Sequence, residues 1–220
     1  MKTKTLALLS ALILVAASLP AQNAANAQHP TDRRDGLSLR AGFGMAGLGG
    51  NRLLDELTCA WNVGLHYEWR FAGRWGVDAG LELSHKGGAM SNSDRWDDDS
   101  RTVLRLNYLQ LPVTVAHHFR VGRVDLAPYV GLYYAWCASG RLDTWDLDGG
   151  EYINVARKDN QMVRRSDFGV RFGGGMSLRC GLYLGINADM GVVDFHHEHV
   201  DGIGFGCRNY TVSLQVGYNF

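Results

Sequence analysis

The residues best suited to chemistry lie near the C-terminus. His196, His197, Glu198 and His199 run together, with Asp194 and Asp201 on either side. Imidazole nitrogens and carboxylate oxygens are the donors that zinc and related ions select. Zinc needs three or four converging ligands, and no spacing elsewhere supplies a fixed partner for His196, His197 or His199. A polar loop with incidental metal affinity is expected, with no resident cofactor. Asp94 with Asp97, Asp98 and Asp99 forms one acidic group, and Asp143, Asp146, Asp148 and Glu151 form another. Their oxygens could meet calcium, but the complete EF-hand pattern is absent, so solvated loop tips are expected. Ser84 and His85 are the adjacent hydroxyl and imidazole. On a strand, neighbours point to opposite faces, which rules out a dyad. No convincing nucleophile remains, and the chain is expected not to be an enzyme.

What positions these residues follows from composition and periodicity. The 220 residues carry 22 basic and 22 acidic side chains, so a nucleic-acid partner is not expected. Glycine is abundant at 28, proline scarce at 4, and the 23 aromatics comprise 6 Trp, 9 Tyr and 8 Phe. That mixture favours many short strands and turns. Lys2 and Lys4 precede an apolar run, Leu6 to Leu19, broken only by Ser10 and Ser18. Small residues at Ala25 and Ala27 follow. This is the pattern of a secretory signal peptide over 1–27, too short for the ~20 residues of a spanning helix. The mature chain would begin with a short segment, 28–36.

From there the period is two. Cys59, Trp61, Val63, Leu65, Tyr67, Trp69 and Phe71 alternate with Ala60, Asn62, Gly64, His66, Glu68 and Arg70. Such alternation marks a strand and not a helix face. Eight strands emerge, near 37–45, 59–71, 75–84, 102–119, 124–136, 168–178, 182–192 and 210–220. In the fourth, the apolar phase flips near Tyr108–Leu109, close to Pro112. Either a bulge or a first half standing above a membrane would do that. The connections sort by parity. Those near 72–74, 120–123 and 179–181 are tight, and those near 47–58, 87–101, 139–166 and 193–208 are long. Membrane barrels place short turns in the periplasm and long loops outside the cell.

Alternation alone does not say which face is inside. A soluble lipocalin-like barrel would turn the apolar face inward. Three observations favour the opposite. Large aromatics of the apolar face fall at both strand ends: Trp69, Phe71, Trp75, Phe119, Tyr218 and Phe220 beside the tight turns, and Trp61, Tyr134, Trp136, Phe168 and Tyr210 beside the long loops. Two such bands suit the interfaces of a bilayer. The other face mixes glycine with charges of both signs, Arg40, Glu68, Arg70, Asp78, Glu82, Asp125, Arg171 and Asp189, as a narrow lumen would. The whole chain has four lysines, where a soluble surface would carry more. The last strand ends in Tyr218 and Phe220, the form of an outer-membrane assembly signal read by the barrel assembly machinery. The expected fold is all-β, an eight-stranded antiparallel up-and-down transmembrane β-barrel over 37–220. Hydrocarbon offers no hydrogen-bond partners, so the first and last strands must pair. Eight strands leave room only for side chains inside, so a plugged lumen is expected.

Four segments resemble the Bacteroidota outer-membrane β-barrel family often labelled PorT-like. Asn107 to Val113 is similar to its YLxIP strand, and Ala127 to Leu132 to its GPYLG strand, with Ala127 where glycine is usual. Asp167 to Val170, running into Gly173–Gly175, is similar to its DFG strand, and Gly217 to Phe220 to its C-terminus. The resemblance spans most of 37–220 and implies an outer-membrane barrel without catalytic residues. One member is associated with type IX secretion, a role that these motifs do not carry over.

The expected role is structural or binding, with rigid strands presenting four surface loops. The longest, 139–166, is the expected contact for an extracellular or envelope partner. Outer-membrane lipid and lipopolysaccharide are the other expected partners, the acidic tips bridging to phosphate through divalent cations. Trp96 and Trp145 are expected to pack across the barrel mouth, and His117 and His118 to be interfacial. The runner-up is a transport-related barrel, a secretion component or narrow channel; a lipid-modifying barrel enzyme is the third class. Cys180 falls at a tight turn, while Cys59, Cys137 and Cys207 fall toward the loops. About 25 Å of bilayer separates the two sets, against the ~7 Å a disulfide spans. At most one bridge is expected, Cys137–Cys207.

Overall fold

Ten antiparallel strands form in a computed structural model that describes residues 36–49, 56–71, 74–94, 98–146, 149–154, 165–193 and 208–220. They are β1 (Gly36–Gly49), β2 (Thr58–Phe71), β3 (Trp75–Asp94), β4 (Asp98–His117) and β5 (Phe119–Val121). β6 (Val124–Asp146), β7 (Gly149–Asn154), β8 (Ser166–Leu178), β9 (Leu182–Gly191) and β10 (Arg208–Asn219) follow. Eight of these are staves of a closed ring. Each stave pairs with the next in sequence, and β1 pairs with β10 from Ser38↔Asn219 to Gly49↔Arg208. β5 continues the line of β4 along β6, and β7 pairs with the far end of β6 on the edge that β8 holds nearer the tight turns. The signal-peptide and N-terminal readings, 1–35, lie outside the described residues.

The alternation that makes each segment a strand also sets its two environments. On β1, Leu37, Leu39, Phe43 and Met45 point outward and Ser38 and Arg40 point inward. The same holds around the ring. Phe43 and Leu214 are 65% and 69% exposed, whereas Glu82 and Gln110 are 0%. A water-soluble protein does not expose its largest apolar side chains and bury its carboxylates; a barrel in hydrocarbon must. The outward aromatics stand at two levels. Trp69 packs on Phe71, and Tyr218 on Phe220, at the tight-turn end. Trp61 stacks on His85 at the other, 5.7 Å between ring centroids.

The tight hairpin between β5 and β6 turns at Gly122, whose φ of 61° is the left-handed region that glycine occupies without a Cβ clash. Gly181, at φ 93°, does the same between β8 and β9.

Three expectations need correction. The segments 87–101 and 139–166 are in large part strand. β3 and β4 stay paired out to Asp94↔Asp98, and β6 continues to Asp146 beside β7. Beyond the apolar belt the ladder no longer needs outward apolar residues, so the pattern that marks membrane strands fades while the backbone pairing persists. The fourth strand, read as 102–119, begins at Asp98 and breaks at His118. The bulge lies in the partner strand. Asn107 pairs with Ser139 and Tyr108 with Cys137, so Ala138 of β6 is the extra residue. β4 itself keeps one phase: Leu104, Leu106, Tyr108, Gln110 and Thr114 all face inward. What changes near Tyr108 is the chemistry of the inner face, because the first half stands above the belt.

Leu65 sits midway between Trp61 and Trp69 on the outward face of β2. Leu65→Arg should destabilise the folded barrel by about 2–4 kcal/mol, the cost of a cation near the bilayer midplane. Equilibrium urea unfolding in phospholipid vesicles measures it, and an unchanged midpoint would place this face elsewhere.

Candidate functional site

The inner face holds the chain's densest chemistry. Arg171 on β8 is its hub. Its Nη1 and Nη2 donate to the two carboxylate oxygens of Glu82 on β3 at 2.7 and 2.8 Å. Its Nε and Nη2 donate to Asp189 on β9 at 2.7 and 2.9 Å. All three side chains are buried. The fork of a guanidinium fits two carboxylates at once, which no ammonium could match. Gln110 Nε2 and Lys86 Nζ also reach Asp189, at 2.8 and 3.3 Å.

His66 ties this hub to a second pair. Its Nε2 lies 2.9 Å from Glu82 Oε1 and its Nδ1 2.9 Å from Asp78 Oδ1. Asp78 in turn accepts from Arg40 Nη2 at 2.8 Å. Both imidazole nitrogens are thus taken up by carboxyl groups, which fixes the ring between Asp78 and Glu82. The network fits because glycine clears space for it: a Cβ on Gly80 would come within 2.6 Å of the His66 ring, and one on Gly64 within 2.6 Å of Glu82. Arg40 also lies over the Tyr183 ring at 4.4 Å.

Toward the tight turns a separate cluster forms. Arg70 bridges Glu68 and Asp125 at 2.6 and 2.9 Å. His118 joins them, with Nε2 2.7 Å from Glu68 and Nδ1 3.1 Å from Asp125. The interfacial placement of His118 is therefore corrected: it continues the inward face of Thr114 and Ala116, while His117 packs against the rings of Trp75 and Phe119.

Toward the long loops the inner face turns aromatic and then apolar. Lys86 Nζ lies 4.4 Å from the Tyr133 ring and 6.0 Å from that of Tyr108. Tyr133 donates to Asp167 at 3.2 Å, as does Asn209 Nδ2. Leu48, Leu104, Leu106, Tyr108, Tyr133, Ala135 and Cys137 then pack as one buried cluster. Outside it, Arg105 and Arg141, each about half exposed, share the carboxylate of Asp143.

The structure thus gathers Arg40, Asp78, Glu82, Arg171 and Asp189 into one network and Glu68, Arg70 and Asp125 into another. His66, Lys86, Gln110, His118 and Asp167 belong to the same face, and the sequence reading named none of them as site residues. The alternation already placed His66 there, which was the available signal. Ser84 is buried, while His85 points outward and bonds Asn107 at 2.7 Å. Tyr218 and Phe220 point outward at the tight-turn end. His196, His197 and His199, Trp96 and Cys207 lie outside the described residues. Among the described residues, no group of three or more His, Cys, Asp or Glu side chains is placed to hold a metal ion. Cys59, Cys137 and Cys180 are free thiols, Cys137 buried.

Glu82→Ala would strand Arg171 and His66 inside the barrel. It should cost about 3–5 kcal/mol, the range for breaking a buried pair. Arg105→Ala, on a half-exposed pair, should cost at most about 1 kcal/mol. Urea unfolding of both variants measures the difference, and equal costs would contradict the buried network.

A model of the outer membrane protein β-barrel domain matches residues 9–220. No curated protein matches the sequence. Among solved structures, Ail, the attachment invasion locus protein of Yersinia pestis, in complex with the heparin analogue sucrose octasulfate, is similar at 17% identity. That match covers 85% of this chain and 99% of Ail, with a TM-score of 0.41. The outer membrane enzyme PagL is similar at 12% identity, covering 82% and 98% of the two chains, TM-score 0.45. Neisserial surface protein A is similar at 11% identity, covering 84% and 97%, TM-score 0.42. With the family model spanning nearly the whole sequence, and a closed eight-stave ring that turns its apolar side outward, the chain belongs to the outer membrane protein β-barrel domain family and resides in the outer membrane.

Proposed function

We propose that this barrel is plugged, and that its role is structural or binding, exerted through what it presents outside the cell. The observation that carries the reading is the inner face. Ion pairs cross the lumen from β1 to β3 and from β3 to β8, and His66 joins them through Asp78 and Glu82. The void beside Arg171 and Asn187 measures about 10 Å³, close to the smallest space that holds one water. Toward the long loops, Leu104 and Leu106 pack with Tyr108 and Tyr133 in a buried cluster that would serve as the apolar part of the plug. In a barrel so plugged, a hydrated ion would have no continuous water path.

The presented surface is the extension of β3, β4, β6 and β7 beyond the belt. It includes 139–146 and 149–154 of the segment read as the contact loop. Pairing across four strands makes it a rigid platform for an extracellular or envelope partner, and lipopolysaccharide surrounds its base. Tyr218 and Phe220 would serve as the assembly signal recognised by the barrel assembly machinery. The PorT-like, Bacteroidota affiliation rests on the four motifs quoted above.

Planar-bilayer recording of the refolded full-length chain tests the plug. No conductance steps are expected, and steady single-channel steps would overturn it in favour of a transport barrel.

A further inference from the structure

On the lipid-facing wall, one outward position of β8 lacks a side chain. Gly174 points outward between Pro128 of β6 and Ile186 of β9, to which it is paired on either side. With Met176, Leu184 and Leu214 these residues line a recess of about 520 Å³. Only apolar side chains and backbone form it. A Cβ built on Gly174 would meet nothing nearer than the Pro128 Cα at 3.9 Å, so the space is open above the backbone.

We propose that this recess is a binding site for one acyl chain of a glycerophospholipid in the periplasmic leaflet. The proposal rests on the barrel's standing in the outer membrane. The recess is continuous with the outward apolar belt, which is the interface with lipid chains. Elsewhere a chain touches a convex wall on one side only. At Gly174 it meets a floor and flanking side chains together, and dispersion contacts add with each neighbouring atom. The shape selects a chain over a second copy of the barrel. Leu214, 69% exposed, and Ile186, 50% exposed, stand up at the edge of the recess. Another convex wall would rest on them and leave the floor empty, whereas a single line of methylenes reaches it. The leaflet follows from position. Met176 and Leu178 are the last outward residues before the tight turn at Gly181, and short turns lie on the periplasmic side.

Native mass spectrometry tests this with the full-length chain released from nanodiscs of phosphatidylethanolamine, phosphatidylglycerol and lipid A. One phosphatidylethanolamine or phosphatidylglycerol adduct should survive activation that strips the rest. Gly174→Phe should lower the surviving fraction roughly tenfold, equivalent to about 1.4 kcal/mol. Ala79→Phe, on the outward face of β3, should leave it unchanged. A wild-type barrel without a surviving adduct, or an adduct indifferent to Gly174→Phe, would overturn the site. So would a dimer that Gly174→Phe dissolves, or retention of lipid A in preference to both phospholipids. A second measurement needs no variant. With ¹³C-methyl methionine and chain-nitroxide phosphatidylethanolamine in the bilayer, Met176 should broaden more than Met45 and Met190, which are outward but outside the recess; equal broadening would overturn the proposal. Heat modifiability on a gel reads insertion separately, so a failure of the barrel itself is distinguishable from a failure of the site.

Discussion

Every other feature of this molecule follows from the backbone's need for hydrogen bonds where no water is present. In hydrocarbon an unpaired N–H or C=O costs several kcal/mol, and a strand edge carries a row of them. The ring therefore has no edge at belt level. β1 pairs with β2 on one side and β10 on the other along nearly its whole length. Closure also fixes the side chains. Once the ladder is circular, one face of each strand looks at lipid and the other at its own lumen, and the usual rule of apolar inside is reversed. The exposed Phe43 and the buried Glu82 express the same constraint.

Closing eight strands makes the lumen narrow, and narrowness governs its chemistry. Charges buried there find partners on facing or neighbouring strands. Arg171 does so with Glu82 and Asp189, and His66 links their cluster to Arg40 and Asp78. Breaking one such link leaves charges without solvent, which is why the network acts as a unit. Glycines on the same face, Gly64 and Gly80 among them, give the long side chains room to cross.

The rule reverses again above the belt. On β4 the same inner face carries Gln110 and Thr114 within the membrane and Leu104 and Leu106 beyond it. Outside the bilayer, water takes the place of hydrocarbon, so polar residues such as Arg105 turn outward and apolar ones gather at the centre. One continuous strand thus obeys two solvents, and the change of code near Tyr108 marks the boundary between them.

The sequence by itself determined the strand period, the number of staves, the face each residue occupies and the membrane the barrel enters. These are local or compositional properties: alternation fixes a face within a few residues, and aromatic bands and loop parity repeat along the chain. Only the tertiary structure decided which residues meet across the lumen. Arg171 and Glu82 are far apart in sequence, and no spacing rule joins them. His66 was assigned its face without its partners, and His118 was read as interfacial from its place beside a tight turn, although two-residue steps from Thr114 and Ala116 already put it inside. The paired ribbons beyond the belt were read as loops because backbone pairing leaves no mark once lipid stops selecting apolar side chains. The recess at Gly174 was equally hidden. A glycine on an outward face looks like any other until its neighbours on two other strands stand up around it.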